Sequence, residues 1–374
     1  MIIKLFFVNH THYDTMNLDI KLKISIIKRT MSKNDLIQQF QLLIHKTTVD
    51  ADKCAPFKIR QYADAMKLIG TFPSENITDL DEITEWFKRN GKKNPKKIIE
   101  KIAAYIKDGY IPQAKDAMEN PVVKAVVNLT KVANIGPAKA KELQSKYGIT
   151  TVEELREQYN LDNTIIHAKQ QIGLRYFDDL NCRIPRMEMD EYHRILGKIC
   201  FDIAEDMLFS INGSYRRNHT SSGDVDVLIS GPPGKNKDYR DAFITKLKTT
   251  GIVTDVLASG KKKFMGITKL NGFEKCRHID IIDTEIETYP FAQLYFTGSG
   301  GFNSHMRLLA LKKGYSMNEY CLSDKNTKLP VDSDEIMNKI GKSAFENEED
   351  IFRFLDIEYV LPENRNTTTL SKIL

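Results

Sequence analysis

Gly213-Ser-Tyr-Arg-Arg217, six residues, and then Asp224-Val-Asp226-Val-Leu-Ile-Ser230 make up the stretch that decides what kind of chain this is. Val225 to Ser230 has the apolar, β-branched content of a strand, and in a strand residues i and i+2 leave from one face. Asp224 and Asp226 therefore present two carboxylates side by side. Such carboxylates repel one another, which is costly unless a cation sits between them. Hard oxygen donors without His or Cys beside them select Mg²⁺, or Mn²⁺, over zinc. Upstream, the small residues Gly213 and Ser214 let backbone N–H groups and a hydroxyl approach a phosphate. Arg217 can then neutralise charge on a transferring group.

A third acid lies in Arg277-His-Ile-Asp280-Ile-Ile, where Asp280 alternates with Ile279 and Ile281 and projects opposite to them. If that strand neighbours the first, three carboxylates converge, enough for two metals and in-line phosphoryl transfer. Gly231-Pro-Pro-Gly-Lys235 resembles part of a phosphate loop, but it lacks the full spacing and reads as a connection. Further strand-like runs span 209–213 and 264–270, with helical segments over 187–206, 238–250, 302–313 and 346–356. The amino-terminal half reads as helix. Tyr62, Ala65, Met66 and Ile69 follow helical spacing, as do Ile98, Ile102 and Ile106. Thr150-Thr-Val-Glu-Glu154 offers two overlapping capping boxes. Residues 1–50 lack strong periodicity and Met31 offers a second start, so they are expected to be an extension, poorly structured in part. The fold class expected is α+β.

Charge points the same way. From 88 to 108 stand Lys88, Arg89, Lys92, Lys93, Lys96, Lys97, Lys101 and Lys107 against Glu100 and Asp108, a footprint for a polyanion such as a phosphate backbone. A solvated lysine face reads equally well from charge alone. Lys261-Lys262-Lys263 is a weaker cluster. No run approaches the roughly 18 apolar residues of a membrane span. The five cysteines, 54, 182, 200, 276 and 321, form no Cys-x-x-Cys pair, which speaks against a disulfide framework or zinc site and for a reducing, intracellular setting. The eight histidines show no ligand spacing.

At the Gly-Ser-x-Arg and Asp-x-Asp motifs the chain resembles the family X DNA polymerases, and the likeness runs in order over roughly 55–365. It implies a helical lyase-like DNA-binding domain (51–118), a helix-hairpin-helix subdomain (119–182), a nucleotidyltransferase palm with a mixed sheet (183–290) and a carboxy-terminal α+β subdomain holding the nascent base pair (291–374). The implied activity is template-directed, gap-filling repair synthesis from dNTP. Asp224, Asp226 and Asp280 match the ligands of two Mg²⁺ ions, and Asp280 also helps to deprotonate the primer 3′-hydroxyl. Ser214, Arg217 and Gly223 resemble the triphosphate contacts. In Tyr295-Phe-Thr-Gly-Ser299, Tyr295, Phe296 and Gly298 match the turn that lines the sugar. Asn303 and Arg307, on one helix face, match minor-groove contacts to the nascent pair.

Lys101, in Lys96-Lys-Ile-Ile-Glu-Lys101, matches the Schiff-base nucleophile of a 5′-deoxyribose phosphate lyase, with Lys97, Lys58 and Tyr62 around the 5′-phosphate. The backbone carbonyls of Thr130, Val132 and Ile135, ahead of Gly136-Pro137, match a hairpin site for K⁺ or Na⁺. Gapped or nicked DNA is the implied partner, bound by a monomer, in the nucleus of a cell or at a virus's replication site or virion. Departures from the family are Gly91-Lys-Lys-Asn-Pro95 in the first hairpin, His278 and Ile282 in place of arginines around Asp280, and Gly300-Gly301 near the incoming base. About fifty residues precede the lyase-like block, too few for the family's phosphopeptide-type partner domain. The stretch 254–265 lacks the insertion of template-independent members. The same palm motif also occurs in RNA-tailing nucleotidyltransferases, and a gap-binding module with a decayed palm is a third reading that the three intact aspartates disfavour.

Overall fold

Leu36, Phe40 and Leu43 stand at i, i+4 and i+7, and that spacing gives the chain its first described helix, α1 (Lys33–Asp50). The computed structural model describes residues 31–50, 53–90 and 95–366. With α1 pack α2 (Ala55–Gly70), α3 (Leu80–Arg89), α4 (Lys96–Asp108) and α5 (Pro112–Glu119). Their shared core takes Leu36, Phe40 and Leu43 from α1, Ala65 and Ile69 from α2, Ile83 and Phe87 from α3, and Ile98, Ile102 and Tyr105 from α4. The buried Lys33 ammonium donates to Phe72 O at 3.2 Å and pairs with Glu75 at 2.9 Å. This corrects the expectation for residues 1–50: 33–50 is an integral helix of the first domain, because its apolar stripe completes that core. Residues 1–30 lie outside the described residues, and so do 91–94 of the first hairpin.

The second block holds α6 (Pro121–Leu129), α7 (Pro137–Tyr147), α8 (Val152–Leu161), α9 (Ala168–Arg175) and the short α10 (Phe177–Leu180), around Val126, Leu129, Leu143 and Leu155. Of the two capping boxes expected before α8, Thr151 and Glu154 form one, and Glu154 also accepts from Thr150 N and Oγ1. α7 begins on Pro137, where a missing N–H costs nothing.

From residue 184 the chain builds a sheet. β1 (Ile184–Pro185) pairs with β3 (Ser221–Ser222). β2 (Leu208–Ile211), β4 (Val225–Ser230), β5 (Val253–Ser259), β6 (Lys263–Thr268) and β7 (Arg277–Asp283) form a mixed sheet of order β2-β4-β7-β6-β5, in which β4 and β7 are the parallel pair. Two helices cover one face, α11 (Arg186–Ile203) and α13 (Asn236–Thr249), burying Leu196, Phe243 and Leu247 against Val225, Val227, Ile279 and Ile281. By the two-residue period, Asp226 of β4 and Asp280 of β7 leave from the opposite face, while Asp283 at the end of β7 turns to the covered side and pairs with Arg240 of α13 at 3.0 Å. A short helix, α12 (Gly213–Arg216), precedes β3.

The last unit contains α14 (Tyr289–Thr297), α15 (Gly300–Lys312), the β8 (Tyr315–Met317) and β9 (Leu322–Asp324) hairpin, α16 (Ser333–Ile340) and α17 (Glu348–Phe354), packed on Phe291, Phe302, Phe352 and Phe354. The chain is thus α+β, helical first and mixed-sheet afterwards. Among the described residues no helix is long and apolar enough to cross a membrane.

Candidate active site

β4 and β7 run parallel with Asp226 directly opposite Asp280, and Asp224 stands one residue before β4 begins. The expected neighbourhood of the two strands is therefore present. Their buried partners Val225, Val227, Ile279 and Ile281 lock the register, since a one-residue slip would drive Asp226 and Asp280 into the core. Asn212 N donates to Asp226 O at 2.8 Å and ties the Gly213 segment to β4. Gly213 has φ +59°, and a Cβ there would collide with Asp226 Oδ2, so only glycine lets the chain pass this close.

Burial first, and then the Asp224 and Asp280 charges, push the Asp226 carboxyl up to about 7, against the pull of Lys263 and Arg217. Burial also raises Asp224; Asp280 adds to this, while His278, Arg183 and Lys263 oppose it. Burial and mutual repulsion together mean that positive charge placed among these carboxylates would stabilise their ionised forms. Asp280 Oδ1 is buried without a hydrogen bond, with His278 Nε2 3.4 Å away, and Oδ2 is paired with Lys263 Nζ at 2.7 Å. Carboxylate donors with one unpartnered buried oxygen fit a hard divalent cation. As placed, no three His, Cys, Asp or Glu side chains among the described residues form a ready ligand cluster. Asp226 and Asp280 are brought together; the full triad is not yet gathered.

Beside Asp224 and Asp226 opens a cleft of ≈ 550 Å³, which Asp280 does not line. Ser214, Arg217, Gly223, Asp224, Asp226, Tyr295, Phe296, Gly298 and Asn303 all line it. Arg217 spans the two walls, donating to Thr297 O at 2.6 Å while its Nε is buried without a partner. Burial lowers the Arg217 pKa, and the Asp226 charge opposes that shift. The opposite wall is the end of α14, where Tyr295 and Phe296 meet edge to face at 5.2 Å. Asn303 Nδ2 donates to Tyr295 O at 2.7 Å. Arg307 does not line the cleft in this arrangement; its guanidinium lies 5.1 Å from the Tyr295 ring and 3.4 Å from Glu319.

A buried knot behind this wall holds it in place. Arg216 and Arg365 both grip Glu348, with four N–H···O contacts of 2.9–3.0 Å. Arg216 also donates to Thr297 Oγ1 at 2.7 Å, and Arg365 O accepts from Ser299 N and Oγ. These three residues were not singled out from the sequence. Neither were Arg183 and His219, which line the cleft.

In the first domain, α4 carries Lys97 and the half-buried Lys101, and α2 carries Lys58 and Tyr62. Burial lowers the Lys101 pKa; the Lys97 and Lys58 charges lower it further, and Glu100 opposes them. Tyr62 packs 5.9 Å from Phe40 of α1. Thr130, Val132 and Ile135 lie in the turn between α6 and α7, where the Val132 carbonyl accepts from Ile135 N at 3.0 Å.

Models of three polymerase domains match this chain: the DNA polymerase beta palm over 183–285, the DNA polymerase beta thumb over 292–366, and the fingers domain of DNA polymerase lambda over 127–181. DNA polymerase lambda of Arabidopsis thaliana is 26% identical over 323 residues, covering 82% of this chain and 57% of that protein. DNA polymerase lambda of Rattus norvegicus is 30% identical over 283 residues, covering 72% and 47%. DNA nucleotidylexotransferase of Xenopus laevis is 26% identical over 308 residues, covering 72% and 57%. The chain spans about half the length of these relatives. With three domain models following one another along a single chain, and relatives that align across all of them, this protein belongs to the family X DNA polymerases.

Proposed function

We propose that this chain is a template-directed DNA polymerase of the repair type, which fills short gaps by joining a nucleotidyl group from dNTP to a primer 3′-hydroxyl with release of pyrophosphate. The observation that carries this reading is the register of Asp226 against Asp280, with Asp226 and Asp224 lining a cleft walled by Ser214, Arg217 and the Tyr295–Ser299 turn. Asp224, Asp226 and Asp280 would hold two Mg²⁺ ions, or Mn²⁺; bound there, the ions supply Lewis-acid stabilisation of phosphoryl charge and ease loss of the hydroxyl proton.

The chain's own groups do the rest. Ser214, Arg217 and Gly223 hold the triphosphate, and Asp280 Oδ1 accepts the proton of the 3′-hydroxyl. Tyr295, Phe296 and Gly298 close on the deoxyribose and leave no room for a 2′-hydroxyl. Asn303, and Arg307 once turned off Tyr295, read the nascent pair. The hairpin carbonyls of Thr130, Val132 and Ile135 take a K⁺ or Na⁺ ion beside the DNA backbone. The test is extension of gapped DNA with dNTP and with rNTP, beside an unprimed RNA substrate. Templated incorporation of dNTP is expected; activity confined to unprimed RNA would make this an RNA-tailing enzyme.

Gly213→Ala probes the close approach. An alanine at φ +59° costs about 1–2 kcal/mol in the left-handed region. Its methyl must also displace the Asp226 carboxylate, and a shift of that order costs on the order of 10²-fold in rate. Steady-state incorporation kinetics check this, and a rate within threefold of wild type contradicts it.

A second activity is proposed for Lys101. Its neutral amine adds to the C1′ aldehyde of a 5′-deoxyribose phosphate and water leaves to give an imine. Loss of the C2′ proton to solvent then breaks the C3′–O bond and frees the downstream 5′-phosphate end, and water hydrolyses the imine to release the sugar, with Lys97, Lys58 and Tyr62 holding the 5′-phosphate. The lowered pKa makes that neutral amine available at lower pH than in a free lysine, near 10.4. Borohydride trapping on such a substrate is expected to rise with pH through a midpoint below that value and to vanish in Lys101→Ala. Undiminished trapping in the variant assigns the nucleophile elsewhere.

A further inference from the structure

Lys263 stands opposite Ile282 across the antiparallel β6–β7 pair, and Met265 stands opposite Asp280. Facing residues in such a pair leave the sheet on one side, which makes Lys263 the diagonal neighbour of Asp280 on the carboxylate face. A diagonal of roughly 7–8 Å is within reach of a long side chain. Lys263 Nζ indeed lies 2.7 Å from Asp280 Oδ2.

We infer that Lys263 is a tethered counter-cation: it occupies Asp280 before divalent ions arrive and must withdraw for Asp280 to become a ligand. The inference rests on the proposal that Asp224, Asp226 and Asp280 form the metal site. Asp226 and Asp280 are direct register partners, yet no ready three-ligand cluster stands among the described residues. A carboxylate drawn toward Lys263 accounts for that gap. Asp280 Oδ1 keeps no hydrogen bond, so the lysine engages only one of the two oxygens. The Lys263 side chain is 46% exposed and that of Asp280 14%, so the lysine can leave for water while the carboxylate stays. The next residue along this face of β7, Ile282, is apolar and offers Asp280 no other partner. Of the other basic side chains nearby, His278 Nε2 lies 3.4 Å from Oδ1 and Arg217 is engaged with Thr297 O.

Lys263 is thus a positioning residue that sets a threshold for loading the site. Because the pair is half exposed and screened by solvent, its rupture weakens cation binding by about two- to fivefold.

The test is Mn²⁺ titration of the full chain without nucleotide, with free Mn²⁺ read by electron paramagnetic resonance. Lys263→Met is expected to bind Mn²⁺ about two- to fivefold more tightly. Lys263→Arg, which keeps a charge at similar reach, should stay close to wild type. Lys261→Met removes one exposed charge from the same hairpin and controls for net charge. If Lys263→Met binds no more tightly than Lys261→Met, the role of Lys263 is overturned while the metal site stands. Asp226→Ala is expected to lose this Mn²⁺; unchanged binding there overturns the metal site itself, and the tethered lysine with it.

Discussion

Asp226→Ala is expected to slow dNTP incorporation on gapped DNA by about 10³-fold or more, because the charge stabilisation it helps to organise is a matter of several kcal/mol and each 1.4 kcal/mol is a factor of ten. Binding of gapped DNA should change little. The lysines proposed to hold the DNA sit on α2 and α4, in a domain with its own core. Folding should survive as well, since the substitution relieves repulsion among Asp224, Asp226 and Asp280. Single-turnover incorporation beside a DNA-binding isotherm separates the two effects. Incorporation within tenfold of wild type would remove Asp226 from the chemistry.

Glu348→Ala is expected to destabilise the chain by about 3–5 kcal/mol, the cost of leaving buried charge without a partner. Arg365 is fully buried and Arg216 is 22% exposed, and both depend on this one carboxylate. Burial alone would raise the Glu348 pKa, but hydrogen bonds and charge from Arg365, with Arg216 behind them, hold it below the usual carboxylate range. A depressed acid contributes stability that is complete above its unfolded value, near 4.3, and is lost as pH falls through the lower folded value. The wild type should therefore lose this contribution only in acid, and the variant should lack it already at neutral pH. Urea unfolding at pH 7 and pH 4 reads both, and a change under 1 kcal/mol at pH 7 would contradict the assignment. The knot also braces Thr297 and Ser299, so poorer dNTP binding is expected in the variant as well.

What was legible in the chain followed from short-range periodicity. The carboxylates of β4 and β7 could be read because a two-residue period places alternate side chains on one face, and Ile279 and Ile281 marked the buried side. That the two strands are neighbours is a tertiary fact, set by a crossover through α13, β5 and β6 that no local pattern encodes. β5 escaped notice because Thr254 and Asp255 dilute its apolar content and two register shifts break its pairing with β6. α1 carries its signal weakly: Leu36, Phe40 and Leu43 have helical spacing, but Gln38, Gln39 and Gln41 dilute the apolar stripe.

Partner choice was least legible. Glu348 and Arg216 are 132 residues apart and Lys263 looked like one member of a basic turn; only folding shows which charge each one meets. Arg307 shows the same limit from the other side. Its helix face was correct, but its contacts with Tyr295 and Glu319 depend on how α14 and β8–β9 pack around it.

Anomalous diffraction from Mn²⁺ in crystals of the protein with gapped DNA and a non-hydrolysable dNTP tests the central claim most directly. The account predicts two peaks among Asp224, Asp226 and Asp280, at the roughly 2 Å contact distance of a hard cation of this size, with Lys263 released from Asp280. Peaks confined elsewhere, with Asp280 still held by Lys263 beside a bound nucleotide, would contradict it.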